Sequence, residues 1–87
     1  MSPENHPRPG TARVKLTFPE HLIKQPIIAR LVREFDVMPN IRQAKIEEHV
    51  GWVVCELGGD GAAIDRAIEW LRDFGVEVDR LGDPLES

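Results

Sequence analysis

The sequence has little of what several classes of protein require. It contains a single cysteine, Cys55, which excludes an intramolecular disulfide, a thioredoxin-type cysteine pair and a cluster held by several thiolates. No stretch approaches the ~18 consecutive apolar residues of a membrane helix, and the first ten residues lack the apolar run of a signal peptide. We therefore expect a cytoplasmic protein with no membrane insertion.

An excess of positive charge is also missing. The 87 residues include eleven Lys and Arg and fifteen Asp and Glu, which gives a formal net charge of −4. This negative charge argues against a protein whose main function is to bind the phosphate backbone of nucleic acids. The apolar share of 41% and the charged share of 30% are ordinary for one globular domain. Because so short a domain buries only about 60–65% of its unfolded surface, pairing with a second copy is expected to add buried area.

Two patterns of apolar residues predict six elements. Alternation with period two indicates strands, and apolar residues at helical spacing indicate helices. Asp60 is a candidate N-cap and Gly75 a candidate stop for the second helix. The segment 37–50 fits a strand if it contains a bulge or an irregular start near Asn40. In order, we predict strand 13–19, helix 26–35, strand 37–50, strand 52–57, helix 61–74 and strand 76–81.

The order of these elements predicts an α+β fold. Two strand–helix–strand units joined by a hairpin, with right-handed crossovers, give a ferredoxin-like βαββαβ sandwich: a four-stranded antiparallel sheet with both helices on one face. Residues 1–11 contain Pro3, Pro7, Pro9 and Gly10, and we expect a flexible N-terminal arm there. The domain is predicted over residues 12–82, followed by a C-terminal tail at 83–87.

Three motifs in this order resemble the NIL domain family. The first is VKLTFP at residues 14–19, followed by PIIARLVREFDV at residues 26–37. The second is the pair Asn40-Ile41, and the third is the run GWVVCELGGDGAAIDRAIEWLRDFGVEVDRL at residues 51–81. Each motif is short, but their order and spacing are specific, and the resemblance covers about residues 12–82.

The resemblance implies a regulatory module rather than an enzyme. The family is known as the C-terminal regulatory domain of ATPase subunits in methionine importers, where it pairs with a second copy and binds methionine. With no ATPase and no cluster cysteines in the chain, it would be a stand-alone relative without a cofactor. The family's motif carries the ligand-binding role onto Asn40 and Ile41, and onto Arg42, which stands where leucine is usual and would remodel a pocket built for a thioether.

Two of these residues also have simpler interpretations. The amide of Asn40 can hold the amino and carboxylate ends of a zwitterion, but Pro39-Asn40 can equally form a turn into the strand. Arg42 can form a bidentate contact with a carboxylate, or it can be a solvated arginine that protects an edge strand from aggregation.

The strand at residues 52–57 predicts an interaction surface. Val53, Cys55 and Leu57 alternate with Trp52 and Val54, so the first three fit the helix-covered face and the other two the open face of the sheet. An exposed tryptophan beside a valine indicates an interface, and we predict that Trp52 and Val54 contact a second copy or a ligand.

No residue set predicts catalysis or metal binding. Cys55 lies in the middle of an apolar strand and is interpreted as a core residue, and it shares no metal-ligand spacing with His21 or His49. An RNA-recognition-motif protein would need aromatic residues on both central strands. An acylphosphatase would need a phosphate-binding loop where Phe18-Pro19-Glu20-His21 stands.

Two hypotheses for the function follow. The first is a non-catalytic module that senses an amino acid of the methionine type at a dimer interface. The alternative is a protein–protein interaction module that docks on a larger enzyme or transporter and binds no free ligand.

Overall fold

A computed structural model describes residues 9–82. Four strands and two helices follow one another in the predicted order, with one 3₁₀ turn between the first strand and the first helix. These elements are β1 (Pro9–Phe18), the 3₁₀ turn (Glu20–Leu22), α1 (Ile27–Glu34), β2 (Val37–Ile46), β3 (Gly51–Asp60), α2 (Gly61–Phe74) and β4 (Glu77–Arg80).

The four strands form one antiparallel sheet in the order β2-β3-β1-β4. The two central strands, β1 and β3, pair along their full ten residues. The two outer strands differ, since β2 has ten residues and β4 only four. Both helices contribute to a single core on one face of this sheet, which confirms the predicted α+β, ferredoxin-like fold.

The core follows from the two periods in the sequence. Alternate residues of the central strands point to one face, and the apolar stripes of the helices cover them. On the strands, these side chains are at most 8% exposed: Val14, Leu16, Phe18, Val53, Cys55 and Leu57. On the helices, those at most 4% exposed are Ile27, Leu31, Ala63, Ile64, Ala67, Ile68 and Leu71.

An aromatic cluster joins the outer surfaces of the two helices. The guanidinium carbon of Arg30 on α1 lies 5.6 Å from the ring centroid of Trp70 and 5.1 Å from that of Phe74, both on α2. The ring of Phe35 lies 5.6 Å from that of Trp70. Cation–π contacts of this kind hold α1 against α2, which gives Trp70 a structural role at the flank of its helix.

The first strand begins earlier than expected. Pro9 lies opposite Asp60, and Gly10 lies opposite Gly59, so residues 9–11 belong to the sheet and not to an arm. A proline is tolerated as the first residue of a strand, where its missing N–H costs least. The remainder of the predicted arm, residues 1–8, and the predicted tail, residues 83–87, lie outside the described residues.

The ends of the helices agree with the sequence in position but not in every detail. Gly75 has φ of 112° and ends α2 as predicted, because a left-handed residue stops a helix and glycine adopts it without strain. Asp60 occupies the N-cap position but makes no capping hydrogen bond with its side chain, and it is also the last residue of β3, opposite Pro9. The predicted N-cap position of Asp60 is therefore confirmed, without the side-chain hydrogen bond that such a residue usually makes.

The first helix is shorter than predicted, and its apolar stripe is narrower. It has eight residues, preceded by Pro26 at the N-cap, and Val32 is 43% exposed. The helix packs against the outer strand β2, which is the edge of the sheet formed by residues 9–82. Within residues 9–82, no helix is long and apolar enough to cross a membrane.

Two adjacent residues of α1 test this account of the core. Leu31→Ala removes a side chain with no exposed surface and is expected to lower the free energy of unfolding by about 2–5 kcal/mol. Val32→Ala is expected to change it by less than about 0.5 kcal/mol, because that side chain is half exposed. Urea unfolding followed by circular dichroism measures both, and equal losses would contradict the burial assigned to α1.

Candidate functional site

The open face of the sheet carries the side chains that the core leaves out. Along β3, buried residues alternate with half-buried ones, and the half-buried set includes Trp52, Val54 and Glu56. The sequence therefore placed Trp52 and Val54 on the correct face. Their predicted contact with a second copy or a ligand remains a prediction.

The tryptophan on this face is partly covered within the chain. Trp52 lies opposite Thr17 on β1 and Lys45 on β2. The ammonium nitrogen of Lys15 lies 5.1 Å from the centroid of the Trp52 ring, which is a cation–π contact. The apolar surface at the centre of the open face is thus bordered by positive charge.

A bulge in β2 determines which predicted ligand residues come together. Asn40 lies opposite Glu56 and Ile41 opposite Cys55, and the register then shifts between Ile41 and Gln43. Arg42 is the extra residue, as the irregularity predicted near Asn40 required. Since paired residues point to the same face, Asn40 belongs to the open face and Ile41 to the opposite one, where it is 53% exposed.

The structure thus separates the predicted ligand residues into two groups. Arg42 contacts Glu56 and so shares the open face with Asn40, whereas Ile41 points away from both. The alternative interpretation of Asn40 as a turn residue is wrong, because Asn40 lies within β2 and is paired with β3. Arg42 does lie on an edge strand, but it is engaged in an ion pair.

Glu56 joins two strands through a pair of arginines. Nitrogen Nη2 of Arg13 lies 2.9 Å from Oε2 of Glu56, and Nη2 of Arg42 lies 3.1 Å from the same oxygen. The Glu56 side chain is 20% exposed, against 53% and 54% for the two arginines. The hydrogen bonds donated by Arg13, and then those of Arg42, hold the pKa of Glu56 below its usual value.

Arg13 and Glu56 are the site residues that sequence reasoning missed. Their position next to Asn40 depends on the pairing of β1 and β2 with β3, and that register is not visible in one sequence. The available signal was their period-two position on the polar side of their strands, which is common to many solvated residues.

Two shallow depressions flank the arginine pair. One, of about 390 Å³, is lined by Arg13, Arg42, Gln43 and Val54. The other, of about 330 Å³, also includes Arg13, and its remaining lining residues are Thr11, Ala12, Glu56, Arg80, Leu81 and Gly82. Both depressions are open to solvent, and charged side chains line them together with the apolar residues Val54, Ala12 and Leu81.

The residues considered for nucleophilic or metal chemistry, Cys55 and His49, do not come together in the structure. Cys55 has no exposed surface, and burial raises the pKa of its thiol to about 11, which agrees with the prediction of a core cysteine. His49 lies in the exposed loop after β2, with Nδ1 2.6 Å from Oε2 of Glu20. In the part of the chain that the structure describes, no three side chains of the metal-binding types converge.

Comparison with known proteins gives the family. The model of the NIL domain matches residues 12–80. The chain belongs to the NIL domain family. It is 31% identical over 77 residues to the methionine import ATP-binding protein MetN of Coxiella burnetii, covering 84% of this chain and 22% of that protein. It is 38% identical over 68 residues to MetN of Helicobacter pylori, covering 74% of this chain and 20% of that protein.

A solved structure supports the same assignment. The C-terminal domain of an ABC transporter ATP-binding protein from Enterococcus faecalis superimposes with a TM-score of 0.74 at 34% identity, covering 83% of this chain and 84% of that one. This chain spans about a fifth of the length of the MetN relatives and 84% of the solved C-terminal domain.

The ion pairs of Glu56 predict a specific response to acid. Because the pKa of Glu56 is lowered in the folded state, its stabilising effect is complete above the usual value of 4.5 and is lost as pH falls through the lowered pKa. Glu56→Gln is therefore expected to reduce the drop in melting temperature between about pH 5 and about pH 3. Glu69→Gln, an exposed site on α2, is the control, and an equal reduction there would contradict this role of Glu56.

Proposed function

We propose that this NIL domain is a non-catalytic, cytoplasmic regulatory module that senses an amino acid of the methionine type at an interface between two copies. The observation that carries the proposal is the position of Asn40, exposed on the open face of an outer strand, within a family whose relatives include methionine-import proteins. An amide at that position offers both donors and acceptors to a zwitterion.

The outer strand β2 supports pairing with a second copy. Within residues 9–82, it is hydrogen-bonded to β3 alone, so the other side of its backbone offers groups that could pair with a further strand. Apolar side chains along this margin are 43–67% exposed: Val32, Met38, Ile41, Ile46 and Val50. A long edge with exposed apolar residues is the type of surface that a second chain covers.

Binding and pairing would be coupled through this strand. A ligand that contacts Asn40 on one copy and the adjoining strand of the other stabilises the dimer by its difference in affinity between the paired and unpaired states. The module would then report the concentration of the ligand as a change in the fraction of dimer.

A protein–protein docking module is the second candidate. The same exposed margin of β2, together with Trp52 and Val54 on the open face, would then contact a larger enzyme or transporter. In that case the chain pairs with its partner and no free amino acid stabilises it.

A titration of the purified protein with L-methionine tests the first candidate. Thermal unfolding and sedimentation velocity are followed together, and a saturable rise in melting temperature with an increase in dimer is expected. Asn40→Ala is expected to abolish both effects, because it removes the amide. Gln25→Ala, which removes an exposed amide outside the sheet, is the control.

The result also separates the two candidates. If neither methionine nor another amino acid shifts the melting temperature at millimolar concentration, amino-acid sensing is excluded and the docking function is favoured. If a shift occurs but survives in Asn40→Ala, the site is elsewhere on the domain.

A further inference from the structure

We infer that the amino acid sensed at Asn40 carries a carboxylate on its side chain, held by Arg42 and Arg13. This inference rests on the proposed function: it keeps the amino-acid sensor at Asn40 but replaces the methionine-type ligand with an acidic amino acid, because Arg42 stands in the site. It depends on the charge and geometry of the arginine pair on the open face.

An excess of positive charge lies at one point on the open face, where Arg13 and Arg42 both contact Glu56. The two lysines of this face have acidic neighbours, since Lys15 is paired opposite Asp79 of β4 and Lys45 lies 4.0 Å from Glu47. The arginine pair with its single carboxylate is therefore the part of the face that attracts anions.

The two arginines retain capacity for a further carboxylate. Each guanidinium has five N–H donors, and the contact with Glu56 is made by Nη2 in both cases, to the same oxygen. More than half of each arginine side chain is exposed, so the remaining donors are open to solvent. Guanidinium groups bind carboxylates through two parallel hydrogen bonds.

Glu56 fixes the positions of the two arginine side chains without neutralising their combined charge. It holds two long side chains at one point between β1 and β2, which limits the rotamer freedom that a ligand would otherwise have to restrict. Its single negative charge faces two guanidinium groups, so one positive charge remains on the cluster. An added carboxylate would bring the cluster to neutrality.

The surrounding residues fit the two ends of an acidic amino acid. Asn40 lies on the same face and is paired directly with Glu56, so its amide can bind the zwitterionic end while the arginines bind the side-chain carboxylate. The depression of about 390 Å³ lies beside the arginines on the side of Gln43 and Val54, and Asn40 lies next to the same arginines opposite Glu56. A thioether would leave the guanidinium groups without a partner.

The charge also bears on pairing of two copies. Strand β2 carries Arg42 and Lys45 and no acidic residue, so an edge-to-edge dimer brings like charges together along its seam, which is unfavourable. An anionic ligand at this seam offsets the repulsion. Pairing should therefore depend on the acidic ligand and weaken as salt screens the attraction.

The test compares amino acids of nearly equal shape that differ in side-chain charge, so that the effect of charge on binding is measured by itself. Isothermal titration calorimetry and thermal unfolding are carried out with L-glutamate and L-glutamine, with L-aspartate and L-asparagine, and with L-methionine. The acidic member of each pair is expected to bind at least about tenfold more tightly than its amide. Arg42→Leu is expected to remove this preference, and Arg33→Leu, an exposed arginine on α1, to leave it unchanged.

Each outcome decides the inference. A charge preference that disappears in Arg42→Leu supports it, provided that circular dichroism shows the variant to be folded. Tighter binding of methionine, or equal binding within each pair, overturns the inference and leaves the amino-acid sensor intact. Absence of binding by all five amino acids overturns both the inference and the proposed function.

Discussion

The strict alternation of β3 between the two faces of the sheet is the constraint on which the molecule depends. One row of its side chains, Val53, Cys55 and Leu57, is buried under the helices, and the other row supplies the centre of the open face. A shift of one residue would exchange the rows and bury Glu56. Because an unpaired buried carboxylate is strongly unfavourable, the packing of the core also fixes the position of the candidate site.

This alternation explains how much the sequence could predict. Periods of two and 3.6 are local, so the order of the elements, the face of Trp52 and the burial of Cys55 are readable from neighbouring residues. The ion pair of Arg13 with Glu56 joins residues 43 positions apart, and it depends on strand register. Similarly, the start of β1 at Pro9 depends on pairing with the end of β3, which no local pattern encodes.

The bulge in β2 links the fold to the chemistry of the site. In a regular strand, Arg42 and Lys45 would point to opposite faces, since they are separated by an odd number of residues. The extra residue between Ile41 and Gln43 places both cations on the open face. It also places Ala44 on the same face as its partner Val53, the face that the helices cover. One inserted residue thus concentrates positive charge beside Asn40, as bulges near functional sites often re-aim side chains.

The two edges of the sheet are built differently, and this difference makes β2 the edge at which the proposed pairing would occur. The outer strand β4 is short and its residues are mostly charged, features that prevent further pairing. In β2 the features oppose one another: its length and exposed apolar margin favour a second strand, whereas its bulge and its cations disfavour one. If these contributions nearly offset one another, as the proposed ligand-dependent pairing requires, the edge lies near balance between the free and paired states. A ligand of modest affinity can shift such an equilibrium, which a permanently paired edge would not allow.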